Sequence, residues 1–330
     1  MSDRKPHIIG VGNALVDVVA AVDADVIARH GLTSGGMHLV DADAAHALFE
    51  EVGPGVRQSG GSVANSIAHL ADLGLRGTYL GKVAGDELGR TFREEMGGMG
   101  ITAPVPDAAE TGTGTGRCVV LVTPDGQRTM STYLGAAVTL APSDIEASMP
   151  DDGDILFIEG YVWDAPHGAA VIECAAQMAK ANGARIALTP SDPGCVERNR
   201  EVMLGFIRRH ADILIGNHLE IGALAGQDDT EYALEWAIGE VAVAAVTESE
   251  KGSLVADASG RYRVPAAPIA RVVDTTGAGD AYASGFLGGL SLGRSVEEAG
   301  RMGADLAATV LGHYGARDGA AARAIAIPAA

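Results

Sequence analysis

The chain has 330 residues and a formal net charge of −19, from 43 acidic and 24 basic residues. Such a surface repels phosphate backbones and anionic lipid, which argues against nucleic acid and membrane surfaces as partners. Hydrophobic residues make up 47% of the chain and aromatics only 4%, with 45 glycines, a balance that suits an aliphatic-cored α/β protein better than a β-sandwich. Cys118, Cys174 and Cys195 are odd in number and widely spaced, so they read as small buried hydrophobes of a reducing compartment. The polar start Met1–Pro6 runs straight into a strand, and no apolar stretch reaches spanning length without a charge or repeated glycine, so a cytoplasmic protein is expected.

In chain order, His7–Gly12 reads as a buried strand and Leu15–Val22 as a second. Short helical patterns follow at Asp25–His30 and Ala42–Val52, and Gly60-Gly61 opens a helix over Ser62–Leu73. Thr78–Val83 reads as a strand and Glu87–Met99 as a helix. The stretch from Ile101 to Leu140 differs: two β-rich runs, Arg117–Thr123 and Thr129–Leu134, flank Pro124-Asp125-Gly126 and predict a hairpin. Alternation then returns, with strands Asp154–Ile158, Arg185–Leu188, Asp212–Ile215 and Val241–Val246. Helices Pro166–Ala181, Val196–Arg209 and Leu219–Ala225 separate them. A β-rich stretch, Ser253–Val264, precedes two closing helices, Ala278–Ser291 and Val296–Leu311, and an Ala-rich tail from Gly319. Repeated βα units predict a single α/β domain over 1–330 with a mostly parallel central sheet. The β-rich pieces at about 15–40 and 112–134 interrupt that rhythm and are expected to form a small lid.

Three motifs carry chemistry. Asp274-Thr275-Thr276-Gly277-Ala278-Gly279-Asp280 opens an apolar, small-residue helix. Small residues at a helix start leave backbone N–H groups open to an anion, reinforced by the helix dipole. A carboxylate one turn in, Asp280, can take the proton of an attacking hydroxyl. A glycine-rich turn with a capping acid would give the same pattern. Gly60-Gly61-Ser62-Val63-Ala64-Asn65 lets a ligand approach the backbone, with Asn65 at the same mouth, or is a plain loop-to-helix junction. Asn13 and Asp17 close a buried strand and can grip a vicinal diol, or be a turn Asn and an exposed Asp. Gly10-x-Gly12 lacks the third glycine of a dinucleotide site, and no Walker loop, Gly-x-Ser-x-Gly or Cys/His metal cluster is present in the sequence.

Together these pieces resemble the ribokinase-like (PfkB-type) family of carbohydrate and nucleoside kinases, over roughly Ile8 to Gly315. The resemblance implies a three-layer fold, a phosphotransferase activity and the use of ATP with Mg2+. It implies Asp280 as general base, with Gly277, Ala278 and Gly279 as the anion hole. Asn217 and Glu220 match the family's Asn-x-x-Glu element, which organises magnesium and phosphates; otherwise magnesium arrives with the nucleotide. Thr247 to Gly252 matches the loop beside the nucleotide phosphates, near Thr276, and Arg128 would reach a phosphate from the lid hairpin. Asn13, Asp17, Gly60, Gly61 and Asn65 would hold the ribose-like part of the acceptor. One departure is Ser249, where the family loop commonly has glycine, with Glu248 and Glu250 flanking it.

The implied reaction is in-line attack of a primary hydroxyl on the γ-phosphate, with water excluded by the lid. Gly-Gly-Ser-x-x-Asn resembles adenosine kinases, whereas ribokinases carry Lys at the position of Ser62. The acceptor is therefore expected to be adenosine or a related nucleoside, with a sugar (ribose, fructose or a keto-sugar acid) as the alternative. Met37, Leu39, Tyr133, Leu134 and Trp163 are candidates to sandwich a base, or ordinary packing. A non-catalytic nucleoside or nucleotide sensor is the reading from another class. A lid edge could pair with a second lid to give a homodimer, though nothing in the sequence requires one.

Overall fold

The computed structural model describes residues 5–53, 55–108, 112–124 and 127–317. Asp125 and Gly126 of the expected turn and the tail from Gly319 lie outside the described residues. The chain begins with β1 (His7–Val11), β2 (Leu15–Ala21), α1 (Ala24–Arg29), β3 (Met37–Leu39), α2 (Ala42–Val52), β4 (Val56–Gly60) and α3 (Ser62–Asp72). It continues through β5 (Arg76–Leu80), α4 (Glu87–Gly98), β6 (Gly116–Val122), β7 (Arg128–Tyr133), α5 (Pro142–Ser148), β8 (Ile155–Glu159), α6 (Gly168–Ala181) and β9 (Arg185–Thr189). It ends with α7 (Pro193–His210), β10 (Ile213–Asn217), α8 (His218–Ala225), α9 (Thr230–Glu240), β11 (Val243–Thr247), β12 (Ser253–Asp257), β13 (Gly260–Val264), α10 (Ala278–Ser291) and α11 (Val296–Val310).

Eight strands make the main sheet, in the order β13-β12-β11-β10-β9-β8-β1-β5. Its six strands from β11 to β5 pair in parallel, and only β12 and β13 add on antiparallel. The parallel strands are apolar on both faces because helices cover both. On one side Ile8, Ile155, Phe157 and Ile213 pack against α3, α10 and α11; on the other Ile9, Leu156, Ile158 and Leu214 pack against α6, α7, α8 and α9. That is the three-layer α/β fold the sequence implied. Cys118 and Cys195 are buried and Cys174 half-buried, all three as free thiols.

A second sheet of five strands runs β3-β7-β6-β2-β4. Four of its strands come from the two expected insertions; β4 does not, and its polar Val-Arg-Gln-Ser-Gly sequence carries no alternation that would betray a strand. Pairing to β2 makes it one. Helices α5 and α9 also went unmarked in the sequence. Register sorts the second sheet into two faces. Val119 and Leu121 point to α1 and α2, where they meet Val26, Ile27 and Leu48. Asp17, Cys118, Thr132 and Leu39 are paired partners across four strands, so they form one row on the opposite face. No helix among the described residues is long and apolar enough to cross a membrane.

Candidate active site

The C-terminal ends of β1 and β8, the start of α3 and the start of α10 converge. Asp280 sits in the first turn of α10, whose N-cap is Gly277. Its Oδ1 accepts from Ser62 Oγ at 2.6 Å and its Oδ2 from Asn65 Nδ2 at 3.1 Å. Both partners lie on the first turn of α3, so the two glycine-led helix starts meet at one carboxylate. Burial pushes Asp280 up to about 6, against the hydrogen bonds from Ser62 and Asn65 and the charge of Arg317. A carboxyl raised to about 6 is mostly charged at pH 7 and is better suited than an ordinary one to take a proton from a positioned hydroxyl.

Asn13, Asp17, Gly60 and Gly61 are brought together by the β2–β4 pairing. A Cβ on Gly60 would fall 2.5 Å from Asp17 Oδ2, and one on Gly61 only 2.2 Å from the Asn13 carbonyl oxygen. Gly61 also has φ of 103°, which a side chain rarely adopts. Asp17 is likewise pushed up to about 6, by burial first, with Arg317 and Arg128 opposing and Asp280 and Glu95 adding to it. Asn65 is buried, and its Oδ1 has no partner among the described residues.

Arg128 reaches from β7 to the loop before α10. Its Nη1 lies 2.6 Å from Asp274 Oδ2 and donates to Thr276 Oγ1, while its Nε and Nη2 have no partner among the described residues. Asp274 is buried and also accepts from the amides of Thr276 and Gly315. Ala278 follows Gly277 in the first turn of α10, and Gly279 is exposed, with nothing within 4 Å of where its Cβ would be.

Asn217 and Glu220 form a capping box on α8. The Asn217 side chain accepts from the Glu220 amide and donates to Glu220 Oε1 at 2.6 Å, and Glu220 Oε2 takes the Asn217 amide. Burial raises Glu220 to about 8. Thr247 ends β11, and Ser249 holds φ of 49°, the left-handed backbone a glycine would supply. The substituted position thus keeps the glycine conformation. Glu248 is engaged by Thr230, Lys251 and Arg263. Gly252 is required, since its Cβ would fall 2.1 Å from the Val264 carbonyl oxygen. A Ser249→Gly change is expected to raise stability by about 0.5–1 kcal/mol, by relieving left-handed strain against a gain in unfolded entropy. Urea melts would show it, and a lower midpoint would mean the serine side chain holds the loop.

The aromatic and apolar candidates divide. Met37 and Leu39 are exposed on β3, in the rows that hold Met130 and Thr132, and so share the Asp17 face. Leu39, Thr132, Leu134 and Val138 border an open pocket of about 210 Å3, which Tyr133 also edges. Tyr133 pairs with Arg117, whose guanidinium stands over both the Tyr133 and Phe49 rings, so its side chain belongs to the α2 face. Trp163 packs edge-on against Phe206 in the main core and is away from the second sheet.

Two groups escaped sequence reasoning. Glu159, closing β8, is buried and accepts from the amides of Asn13 at 2.8 Å and Val63 at 2.9 Å, fastening β1 to the start of α3. Burial raises it to about 7. Its signal was a lone acid ending an apolar strand. Arg317 gave none.

A half-buried carboxylate beside open helix-start amides, facing a polar grip, is an arrangement suited to moving a phosphoryl group onto a small-molecule hydroxyl. The pfkB family carbohydrate kinase model matches residues 37–323, and the chain belongs to that family. Family membership implies ATP as phosphoryl donor. An adenosine kinase from Sinorhizobium meliloti superposes with a TM-score of 0.88 at 41% identity, covering 96% of each chain. A probable sugar kinase protein from Rhizobium etli CFN 42 also gives 0.88, at 38% identity and 95% coverage of each. Among curated relatives, the adenosine kinase of Saccharomyces cerevisiae is 27% identical, over 93% of this chain and 95% of its own.

Proposed function

We propose that the chain works as one kinase unit that moves the γ-phosphoryl group of ATP to a primary hydroxyl of a nucleoside, adenosine first. The observation that carries the nucleoside reading is the row on the second sheet. Asp17, suited to a ribose diol, lies in line with Thr132 and Leu39, which border the 210 Å3 apolar pocket where a base can rest. Asn65 Oδ1, buried without a partner among the described residues, supports a polar role for Asn65 toward the acceptor. Similarity to the Sinorhizobium meliloti adenosine kinase supports the same acceptor.

In this reading the hydroxymethyl oxygen lies beside Asp280, which takes its proton as the bond to phosphorus forms. The amides of Gly277, Ala278 and Gly279 face the charge gathering on the phosphoryl oxygens. Arg128, held on Asp274 and Thr276, brings positive charge to the phosphates from the lid side. A pocket of about 490 Å3 lined by Pro268, Ile269, Arg271, Val273, Asp305 and Thr309 adjoins the Asp274 loop and is suited to the nucleotide base. Asn217 and Glu220 fit magnesium only at a distance: both Glu220 oxygens are already engaged, so the pair would meet the ion through its waters. The second sheet closes over the acceptor as a lid.

The test is ADP formation from ATP and magnesium with adenosine, inosine, guanosine, ribose, fructose and keto-sugar acids as acceptors. Turnover strongest with adenosine is expected. Turnover confined to a sugar keeps the chemistry and removes the nucleoside; the 38% identity to a probable sugar kinase makes that the second reading. Saturable adenosine binding with no turnover would leave a sensor.

A pH profile follows from the two raised carboxyls. Each must be charged to act, so kcat/KM should fall as pH drops through about 6. With both groups titrating together, the limb should be steeper than one proton, and Asp17→Asn should reduce it to a single-proton slope. Activity unchanged down to pH 5 would contradict this.

A further inference from the structure

Gly315, Ala316 and Arg317 run as a short strap between two parts of the site that are distant in sequence. The Gly315 amide donates to Asp274 Oδ2 at 2.8 Å, and Ala316 fills the space beside Gly277, 2.6 Å from where a Cβ there would lie. The Ala316 carbonyl accepts from His69 Nε2 at 3.0 Å, one turn along α3 from Asn65. Burial holds His69 down at about 4, so it is a neutral donor at any working pH.

Arg317 continues the strap to the second sheet. Its Nη2 donates to the Ser59 carbonyl and, at 3.0 Å, to Ser59 Oγ. Glu95 of α4 lies 3.7 Å from the same nitrogen and takes the Ser59 amide at 2.5 Å. Arg317 and Glu95 thus hold the amide, the carbonyl and the hydroxyl of Ser59. Ser59 directly precedes Gly60-Gly61, the turn on which Asp17 and Asn13 rest. The Arg317 side chain is only 5% exposed, and its Nε has no partner among the described residues. A buried guanidinium with a donor to spare is costlier than an apolar side chain of equal volume, so packing alone does not account for it.

We propose that Arg317 is a positioning residue for the acceptor: it fixes the Ser59–Gly61 turn against Asn13 and Asp17, and through Ala316 registers that turn with the anion loop at Gly277. The proposal rests on the acceptor and base roles given above to Asn13, Asp17 and Asp280. Three consecutive residues then set the distance between the acceptor hydroxyl and the phosphoryl group, which neither loop could fix alone. Arg317 is also a cation shared by the two working carboxylates. Asp17 faces Arg317, Arg128, Asp280 and Glu95, while Asp280 faces Arg317, Ser62 and Asn65, with Asp17, Glu159 and Glu220 near enough to feel its charge.

The experiment compares Arg317→Gln, Arg317→Lys and Asp280→Asn in the full chain, with adenosine as acceptor. Arg317→Gln is expected to raise the adenosine KM at least tenfold, to change the ATP KM less than twofold, and to move the acid limb of kcat/KM to higher pH. Arg317→Lys keeps the charge but loses the fork, so it should raise the adenosine KM while leaving the limb in place. If Arg317→Gln does not fold, the Lys variant alone decides. Wild-type adenosine KM in the folded variants, or equal changes in both KM values, would overturn the proposal. Near-normal turnover in Asp280→Asn would instead overturn the site reading beneath it, so the two failures are distinct.

Discussion

Replacing Asp280 by Asn is expected to lower kcat by roughly two to four orders of magnitude while adenosine binds within a few-fold of normal. Asparagine has the same shape and can still accept from Ser62 Oγ, so α3 and α10 stay joined. What it lacks is a site for the proton of the attacking hydroxyl. The thermal behaviour separates this from a structural loss. Asp280 is pushed from 3.8 to about 6 in the folded protein, so its contribution favours folding in acid and is lost as pH rises through 6. At pH 8 the carboxylate is charged and desolvated, and the Asn variant should melt at or above the parent. At pH 5, where the parent carboxyl is mostly protonated, the gap should close. A capping acid would behave in the opposite way, because losing it lowers Tm where it is charged. Slow turnover with an unchanged or raised Tm at pH 8 assigns the carboxylate to chemistry; near-normal turnover removes it from the mechanism.

The parts of this site legible in the sequence are those where backbone chemistry is local. Glycines before Ser62 and before Ala278 announce two helix starts with open amides, and the residues that follow, Asn65 and Asp280, lie within the first turn of each. Asn217 and Glu220 stood out only through resemblance to the family's Asn-x-x-Glu element; the capping box they form explains their geometry before any metal is invoked. The βα alternation likewise exposes the main sheet, because strands buried on both faces are continuously apolar. Illegible parts depend on register or on distant contacts. Tyr133 and Leu134 are neighbours in sequence, yet a one-residue step decides which face of a strand a side chain takes, and Tyr133 goes to Phe49 and Arg117. The polar strand β4 exists because β2 pairs with it. Arg317 and Glu159 are single charges whose burial arises only when residues far away in sequence fold over them.

Gly279 offers the cleanest separation of fold from function at this site. Gly61, Gly252 and Gly277 each have a structural reason for lacking a side chain: a Cβ would strike Asn13, Val264 or Ala316. Gly279 has none. It lies in the first turn of a helix, is exposed, and has open space where its Cβ would point. Glycine inside a helix costs up to about 1 kcal/mol relative to alanine, so Gly279→Ala should leave the fold intact and raise stability by a few tenths to about 1 kcal/mol. If the amides from Gly277 to Gly279 receive the phosphoryl group, the added methyl stands at that approach. Losing one well-placed donor of this kind typically lowers kcat by about a hundredfold, and a comparable fall is expected here. Adenosine affinity, which the proposed reading gives to Asn13, Asp17 and Asn65, should move little. A variant that melts higher and turns over a hundredfold more slowly has lost nothing but room for an anion. If it melts higher and turns over normally, the phosphoryl group passes elsewhere, and the helix start is only a turn.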